Sequence, residues 1–337
     1  MTEGVEPGLA IGHEARSGAI RSNGEGVGSD QPWVGIAANP GSGRGRGRRQ
    51  VERLQAELER LGLSTRVAWS LPDRAVLVAE SAADPHCRCL VAAGGDGTVA
   101  ALVNERPAVP ITVLPAGTEN LFARHFRLDR NPARLASIIA AGAVAQLDLG
   151  LTATRRFTLM AGIGFDADVV ARHHSTRVGR AGVARPTHRG AYVESVLRSS
   201  LEYRFPRLTV SITDPGAEET LVGATAFIFN LPRYALGLPF APTARGDDGW
   251  LDLVVFRNAG PLQSLRYLWM VLRGIHLDRD GVEHRRFRRV VVTSAETVPV
   301  QLDGDPGGSV SPEGHPDGVW SVEVLPNALE VLVPDGG

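Results

Sequence analysis

A chain of 337 residues, 43% hydrophobic and 22% charged, is long enough for two domains at ~150 residues each, and its formal net charge of −1 lacks the positive excess of a nucleic-acid or bulk-membrane binder. All 36 basic residues are arginine, and the sequence contains no lysine. That excludes Walker-type phosphate loops, the protein-kinase arrangement and Schiff-base enzymes, each of which needs a lysine, so phosphate chemistry here must rest on backbone amides, arginine and metal.

Residues 1–31 are rich in Gly, Ser and charge without an apolar period and read as a flexible tail. They lack the charged-then-apolar pattern of a signal peptide, and no stretch reaches the ~18 uninterrupted apolar residues of a membrane span, so the cytoplasm is the expected compartment. Trp33 to Ala38 reads as a strand ending at Asn39-Pro40-Gly41-Ser42-Gly43. Val51, Leu54, Leu58 and Leu61 then recur at helical spacing until Gly62 stops them. Cys87 to Ala93 is a further strand, running into Gly94-Gly95-Asp96-Gly97-Thr98 and a helix over Val99 to Asn104. The two cysteines, Cys87 and Cys89, point to one face of that strand and read as core residues. Ile111 to Leu114 leads into Pro115-Ala116-Gly117-Thr118, and Asn120 to Phe126 is helical in pattern.

Strands alternating with helices, with glycine at each strand's carboxyl end, predict a parallel sheet whose ligand crevice lies at those ends. Beyond residue 150 the texture becomes β-rich, with runs at Leu208 to Ile212, Ala224 to Phe229, Trp250 to Phe256, Val290 to Thr293 and Val298 to Leu302, and one helix over Leu262 to Leu272. The expected organisation is therefore an α/β, Rossmann-like domain over 32–150 and a mainly antiparallel second domain over 151–325. The last strand, Ala328 to Val333, is placed to pack back on the first domain.

Three closely spaced glycines between a strand and a helix allow backbone N–H groups to approach an anion at the positive end of the helix. Gly94 to Thr98 has that form. A Gly-Gly-Asp-Gly run alone is more often a plain turn; the Asp96 carboxylate inside an anion-binding loop calls for a metal or a proton transfer to use it. Asn39 to Gly43 offers a similar array and reads equally well as an ordinary strand–helix connection. Thr118, before a helix, reads first as an N-cap.

Together, the asparagine loop, the glycine-aspartate loop and Pro115 to Arg124 resemble the diacylglycerol kinase catalytic family, which includes bacterial lipid kinases and sphingosine kinases. The resemblance continues at Gly162-Ile163-Gly164-Phe165-Asp166-Ala167, at Pro239-Phe240-Ala241-Pro242 with Asp247-Asp248-Gly249, and at Gln301-Leu302-Asp303-Gly304-Asp305. Six blocks in order are far more specific than any one of them. The resemblance implies an NAD kinase/diacylglycerol kinase-type fold with a C-terminal antiparallel β-sandwich, and an ATP- and Mg²⁺-dependent kinase acting on a lipid hydroxyl, diacylglycerol first.

It further implies nucleotide contacts at Asn39, Pro40, Gly41, Ser42 and Gly43, at Gly94, Gly95, Asp96, Gly97, Thr98, Val99 and Ala100, and at Gly117, Thr118 and Asn120, with Ser70 as a hydroxyl counterpart after the second strand. Asp305 stands where relatives carry the acid taken as general base, with Asp303 close behind and Asp96 as the contact for a catalytic Mg²⁺. A second Mg²⁺ is implied at the Asp248 carboxylate with the carbonyls of Arg245 and Trp250, a donor set that suits a hard cation. Asp303-Gly304 is also a common choice for a tight turn, and Asp247 to Gly249 for a surface turn. This chain departs from the pattern at Ala100-Ala101 and Asn120-Leu121, where relatives carry Asn-Glu and Asn-Asp.

A lipid acceptor implies transient contact with the inner face of a membrane, and Arg285, Arg286, Arg288 and Arg289 are the candidate residues. The arginine-rich stretch from Arg172 to Arg189, with His173, His174 and His188, reads as a solvated face. No nucleic-acid partner is expected, and a homodimer is left open. Two rival readings are a soluble-substrate kinase of the NAD kinase type and a non-catalytic lipid- or nucleotide-binding relative. The Asp303-Gly304-Asp305 and Asp247-Asp248-Gly249 blocks weigh against the first, and retention of Asp96 and Asp305 against the second.

Overall fold

A computed structural model describes residues 21–22, 31–41, 47–153, 155–178, 199, 202–214, 216–312 and 319–335. Within the segment expected to be a tail, Arg21–Ser22 (β1) forms a short edge strand antiparallel to Val67 and Arg66; backbone pairing needs no apolar period, so composition did not mark it. Trp33–Ala38 (β2) and Gly47–Arg60 (α1) follow the expected order, with Val51, Leu54 and Leu58 buried along one face of the helix and Gly62 at φ 76° releasing the chain.

Ser64–Ala68 (β3) precedes Leu71–Ala83 (α2), whose start is set by the Ser70 hydroxyl accepting the Asp73 N–H and by Pro72 in the first turn. Cys87–Gly94 (β4), Asp96–Asn104 (α3), Ile111–Pro115 (β5) and Leu121–His125 (α4) complete the strand–loop–helix repeats. Both cysteines are free and buried, and burial pushes the Cys87 thiol up to about 12. Pro132–Ala141 (α5) is capped by Asn131 and ended by Gly142 at φ 75°.

Val144–Leu151 (β6), Arg156–Phe157 (β7), Met160–Gly164 (β8) and Phe165–Val178 (α6) lead into the second half. Leu208–Asp214 (β9), Ala217–Gly223 (β10), Thr225–Phe229 (β11), Leu251–Phe256 (β12), Pro261–Leu272 (α7), Val282–Phe287 (β13), Arg289–Ser294 (β14), Val298–Leu302 (β15), Asp305–Val310 (β16) and Trp320–Leu332 (β17) follow.

The strands form two sheets. One runs β1-β3-β2-β4-β5-β17-β14-β9-β10, with β6 also on β17, and its β2 to β5 portion is parallel. The other is antiparallel, in the order β13-β12-β11-β8-β15-β16. β17 joins the two halves: Arg289 to Val292 pair with its first residues, and Val331 lies parallel to Ile111 of β5. Between them its register against β6 shifts from Leu325 to Leu329, and Asn327 takes φ 49°. The α/β and antiparallel halves thus share one continuous sheet rather than meeting as separate layers.

Apolar residues of the two sheets, among them Phe157, Val210, Ile228, Phe287 and Val322, fill a sandwich core. A second core runs from the parallel half, through Leu90 and Phe122, to the opposite face of the antiparallel sheet at Met160, Phe229 and Phe240. Between these halves, at the carboxyl ends of β2, β4 and β5, the loops converge.

Candidate active site

Two of the loops pack backbone against backbone, which only glycine permits. A Cβ on Gly95 would lie 3.1 Å from Gly117 Cα, one on Gly117 would lie 2.6 Å from Gly95 Cα, and one on Gly94 would meet Thr98 Oγ1 at 2.1 Å. The Ala116 N–H donates to Gly94 O at 2.8 Å. Asn120, held left-handed at φ 50°, clamps Gly117 from both sides: its Oδ1 accepts the Gly117 N–H and its Nδ2 donates to Gly117 O, each at 2.9 Å. Asp96 Oδ1 accepts the Phe122 N–H at 3.0 Å, tying the glycine loop to the start of α4. Burial raises the Asp96 pKa, against the lowering effect of the Phe122 and Leu121 amides.

Beside these loops lies a cleft of about 330 Å³, lined by residues of β2, β3 and α2 and by Gly97, Thr98 and Ala101 of α3. Asn39, Pro40, Ser70, Gly97 and Thr98 come together there. Asn39 Oδ1 accepts the Gly41 N–H at 2.9 Å, which shapes the turn; Ser42 and Gly43 lie outside the described residues. Gly94, Gly95, Gly117 and Asn120 build the loops next to the cleft rather than its walls.

Three expectations change. The Thr98 and Val99 amides bond back to Gly95 O and the Asp96 amide faces its own carboxylate, so among the described residues the open donor of the α3 N-terminus is that of Gly97. Val99 and Ala100 are buried helix residues and do not line the cleft. Thr118 is exposed, and the N-cap position of α4 is held by Asn120, whose side chain bonds Gly117 instead of the helix amides.

Two cleft residues were not anticipated. Trp69, at the end of β3, has the Arg48 guanidinium 5.3 Å from its ring centroid. Arg74, on α2, donates to Glu105 at 3.0 Å while its buried Nε has no partner. The sequence signal for both was a tryptophan at a strand end followed by Ser70 and Pro72, with an arginine one helical turn further on.

Across the cleft, β15 turns into β16 through Asp303 (φ 52°) and Gly304 (φ 85°), with Leu302 paired to Asp305. Two positive φ values in a two-residue connection make this a type I′ hairpin. Asp303 is buried, and its carboxylate is fully used: Oδ2 accepts from Thr158 N and Oγ1 at 2.8 and 2.9 Å, and Oδ1 from Leu159 N and Met160 N at 2.8 and 3.0 Å. Burial raises its pKa while these bonds pull it down. A carboxylate holding four donors cannot also receive a substrate proton without losing them, which weighs against the expectation that Asp303 acts as a base. Asp305 is its opposite. It is half-buried, its carboxylate has no hydrogen bond or ion pair among the described residues, and its Oδ2 lies 3.4 Å from where a Cβ on Gly97 would stand.

At the expected second metal site, the Asp248 carboxylate is engaged by protein groups. The Asp248 carboxylate accepts the Trp250 N–H at 3.1 Å and is paired with the Arg286 guanidinium, and Arg245 turns to Asp247 at 3.3 Å. Among the described residues no group of three His, Cys, Asp or Glu could hold a metal. The Arg286 guanidinium neutralises the Asp248 carboxylate. The loop is held instead by Asp148, a buried acid missed in the apolar run of β6, which accepts the N–H groups of Gly249 at 2.6 Å and of Asn327 at 2.7 Å.

Asp166, at the start of α6, receives Gln301 Nε2 at 3.0 Å and the Tyr234 hydroxyl at 3.2 Å, and burial pushes its pKa up to about 6. The arginines expected to meet a membrane are spent on the protein: Arg285 pairs with Glu219 and Glu283, Arg286 with Asp248 and Arg289 with Glu323, while Arg288 lies over the Trp250 ring. Among the described residues no helix is long and apolar enough to cross a membrane.

The "Diacylglycerol kinase catalytic domain" family matches residues 34–152, and the "YegS C-terminal NAD kinase beta sandwich-like domain" matches residues 160–333. A protein named "Diacylglycerol kinase" from Mycobacterium tuberculosis (strain ATCC 25618 / H37Rv) is 30% identical over 253 residues, covering 72% of this chain and 76% of its own. One of the same name from Staphylococcus carnosus (strain TM300) is 26% identical, with 82% and 89% covered. A "Probable lipid kinase YegS-like" of Chromohalobacter salexigens is 26% identical, with 81% and 85% covered. In fold, the chain resembles the crystal structure of a diacylglycerol kinase from Bacillus anthracis str. Sterne, with a TM-score of 0.66, 22% identity, and 90% and 98% of the two chains covered.

Proposed function

We propose, from the premise that this chain belongs to the diacylglycerol kinase catalytic-domain family and is an ATP-dependent lipid kinase, that its acceptor is the free hydroxyl of diacylglycerol. The observation that carries the mechanism is the uncommitted Asp305 carboxylate set against Gly97, at the open N-terminus of α3. ATP enters the cleft beside Trp69, Ser70 and Arg74, with its phosphates toward the open amide of Gly97. The lipid hydroxyl meets Asp305, which accepts its proton as the hydroxyl oxygen bonds to the γ-phosphorus and the bond to the ADP oxygen breaks in line. Asp303 fixes the hairpin that presents Asp305, and Asp96 fixes the loop that presents Gly97. Neither needs to exchange a proton.

Mg²⁺ bound with a nucleotide takes one or two protein carboxylates and fills its remaining positions from phosphate and water. Asp96, next to Gly97, would supply one such carboxylate. When bound there, Mg²⁺ supplies neutralisation of the phosphate charge. With no lysine in the chain, Arg74 and the loop amides provide the rest of the positive potential.

The reading is supported by relatives named for diacylglycerol and tested by incubating the enzyme with γ-labelled ATP, Mg²⁺ and separate vesicles carrying diacylglycerol, a sphingoid base or phosphatidylglycerol, with NAD as a soluble acceptor. Label in phosphatidic acid is expected. Label in another lipid and none in phosphatidic acid overturns the choice of acceptor, and label in NAD alone overturns the lipid hydroxyl.

A further inference from the structure

The most exposed apolar surface lies on α7, away from the site. Leu262, Leu265, Trp269 and Leu272 are 81, 55, 54 and 59% exposed, and Leu268 is exposed beside them. At about 100° per residue these five fall within an arc of about 120°, opposite the buried Tyr267, Met270 and Val271. Single exposed leucines need no account; five on one stripe of one helix do. Arg266 and Arg273 border the stripe on one side. Neither forms an ion pair among the described residues, and Arg273 lies 5.8 Å from the Trp269 ring centroid. From residue 257 to residue 277 the chain contains no Asp or Glu.

We propose that α7 docks the enzyme on an anionic bilayer, lying in the interface with its leucine–tryptophan stripe among the acyl chains and Arg266 and Arg273 at the headgroups. The proposal rests on the acceptor being a bilayer lipid. An apolar stripe, an unpaired cationic border and an aromatic ring at that border are what an interfacial helix requires. The absence of acid over twenty-one residues is complementary to a negative surface. The helix is also well placed. Its Tyr267 ring lies 4.5 Å from that of Phe256, tilted by 46°, on the face of the antiparallel sheet that shares a core with the parallel half. Just after it, His276 bonds Phe240 O at 2.7 Å, and the loop leading to Phe240 rests at Gly237 against Arg124 of α4. α7 is thus tied, through Phe240 and Gly237, to α4, the helix that follows the Gly117 loop.

The test uses the full chain in three measurements. Sedimentation with vesicles of equal parts phosphatidylglycerol and phosphatidylcholine, against phosphatidylcholine alone, compares the wild type with Leu265→Glu/Trp269→Glu and with Arg266→Glu/Arg273→Glu. Both variants should need at least about tenfold more anionic lipid for half-binding. Phosphorylation of a short-chain diacylglycerol dispersed as monomers should be unchanged, which shows that the variants are folded. Light scattering reports the oligomeric state. Unchanged vesicle affinity in the Leu265→Glu/Trp269→Glu variant overturns the proposal, as does conversion of a dimer to a monomer with vesicle affinity intact, which assigns the stripe to a second copy. If the wild type ignores the short-chain lipid but its vesicle binding depends on α7, the diacylglycerol acceptor fails and the docking surface stands.

Discussion

Asp303 and Asp305 are two residues apart on one hairpin, and the structure predicts opposite consequences of the same change at each. In Asp303→Asn, one oxygen becomes an NH₂ group facing donors, either the amide and hydroxyl of Thr158 or the amides of Leu159 and Met160. Two charge-assisted bonds are lost; with the NH₂ turned to Thr158, whose hydroxyl can accept from it, one buried amide is stranded, and with the NH₂ turned the other way, two. At about 1–3 kcal/mol for each unsatisfied group, the cost is roughly 1–6 kcal/mol. On the scale for large domains, about 2–4 °C per kcal/mol, that lowers the thermal midpoint by several degrees, up to about 20 °C. Asp305→Asn disturbs no bond among the described residues, so its midpoint should stay within about 1 °C, while kcat falls by about 10²–10⁴ with KM for ATP little changed. Differential scanning fluorimetry and steady-state assays on the two variants decide the matter. An Asp303→Asn enzyme with its wild-type midpoint and no turnover would make Asp303 the base. Wild-type kcat in Asp305→Asn would remove Asp305 from the chemistry.

Gly117→Ala forces a methyl group to within 2.6 Å of Gly95 Cα and 2.9 Å of Asn120 Oδ1; the loops must part, and the ATP dissociation constant measured by calorimetry should rise by at least about tenfold for a displacement approaching 1 Å. Asp166 has a folded pKa raised to about 6 from 3.8, so it favours the folded state when protonated. That contribution is whole below about pH 4 and is lost as pH rises through about 6. Urea midpoints at pH 4.5 and 7.5 should therefore fall more in the wild type than in Asp166→Asn, and identical pH slopes would remove Asp166 as the cause.

Legibility in the sequence followed the range of the interaction concerned. The parallel strands and their helices were readable because β2, β4 and β5 are short apolar runs ending in glycine, a local pattern. Asp305 was found only through its place in a multi-block resemblance; nothing local separates it from Asp303. What divides them is three backbone amides and a hydroxyl contributed from residues 158 to 160, about 145 positions away. Asp148 was passed over because a lone acid within Leu147-Asp148-Leu149 gives no hint that residues 249 and 327 will converge on it. The ion pairs of the arginine cluster at 285–289 were hidden for a related reason: its acidic partners, Glu219, Asp248 and Glu323, come from three other segments.

Because β17 is hydrogen-bonded to β14 at one end and to β5 at the other, the two halves of the enzyme have no free tether between them. Large opening would tear a ladder rather than swing a linker, so the softest motion left is torsion about Asn327, where the strand already bends and Asp148 pins it. A catalytic cycle on this frame must admit and release its substrates through the loops at the cleft rim, with Asp305 and Gly97 keeping their spacing like the jaws of a clamp forged in one piece.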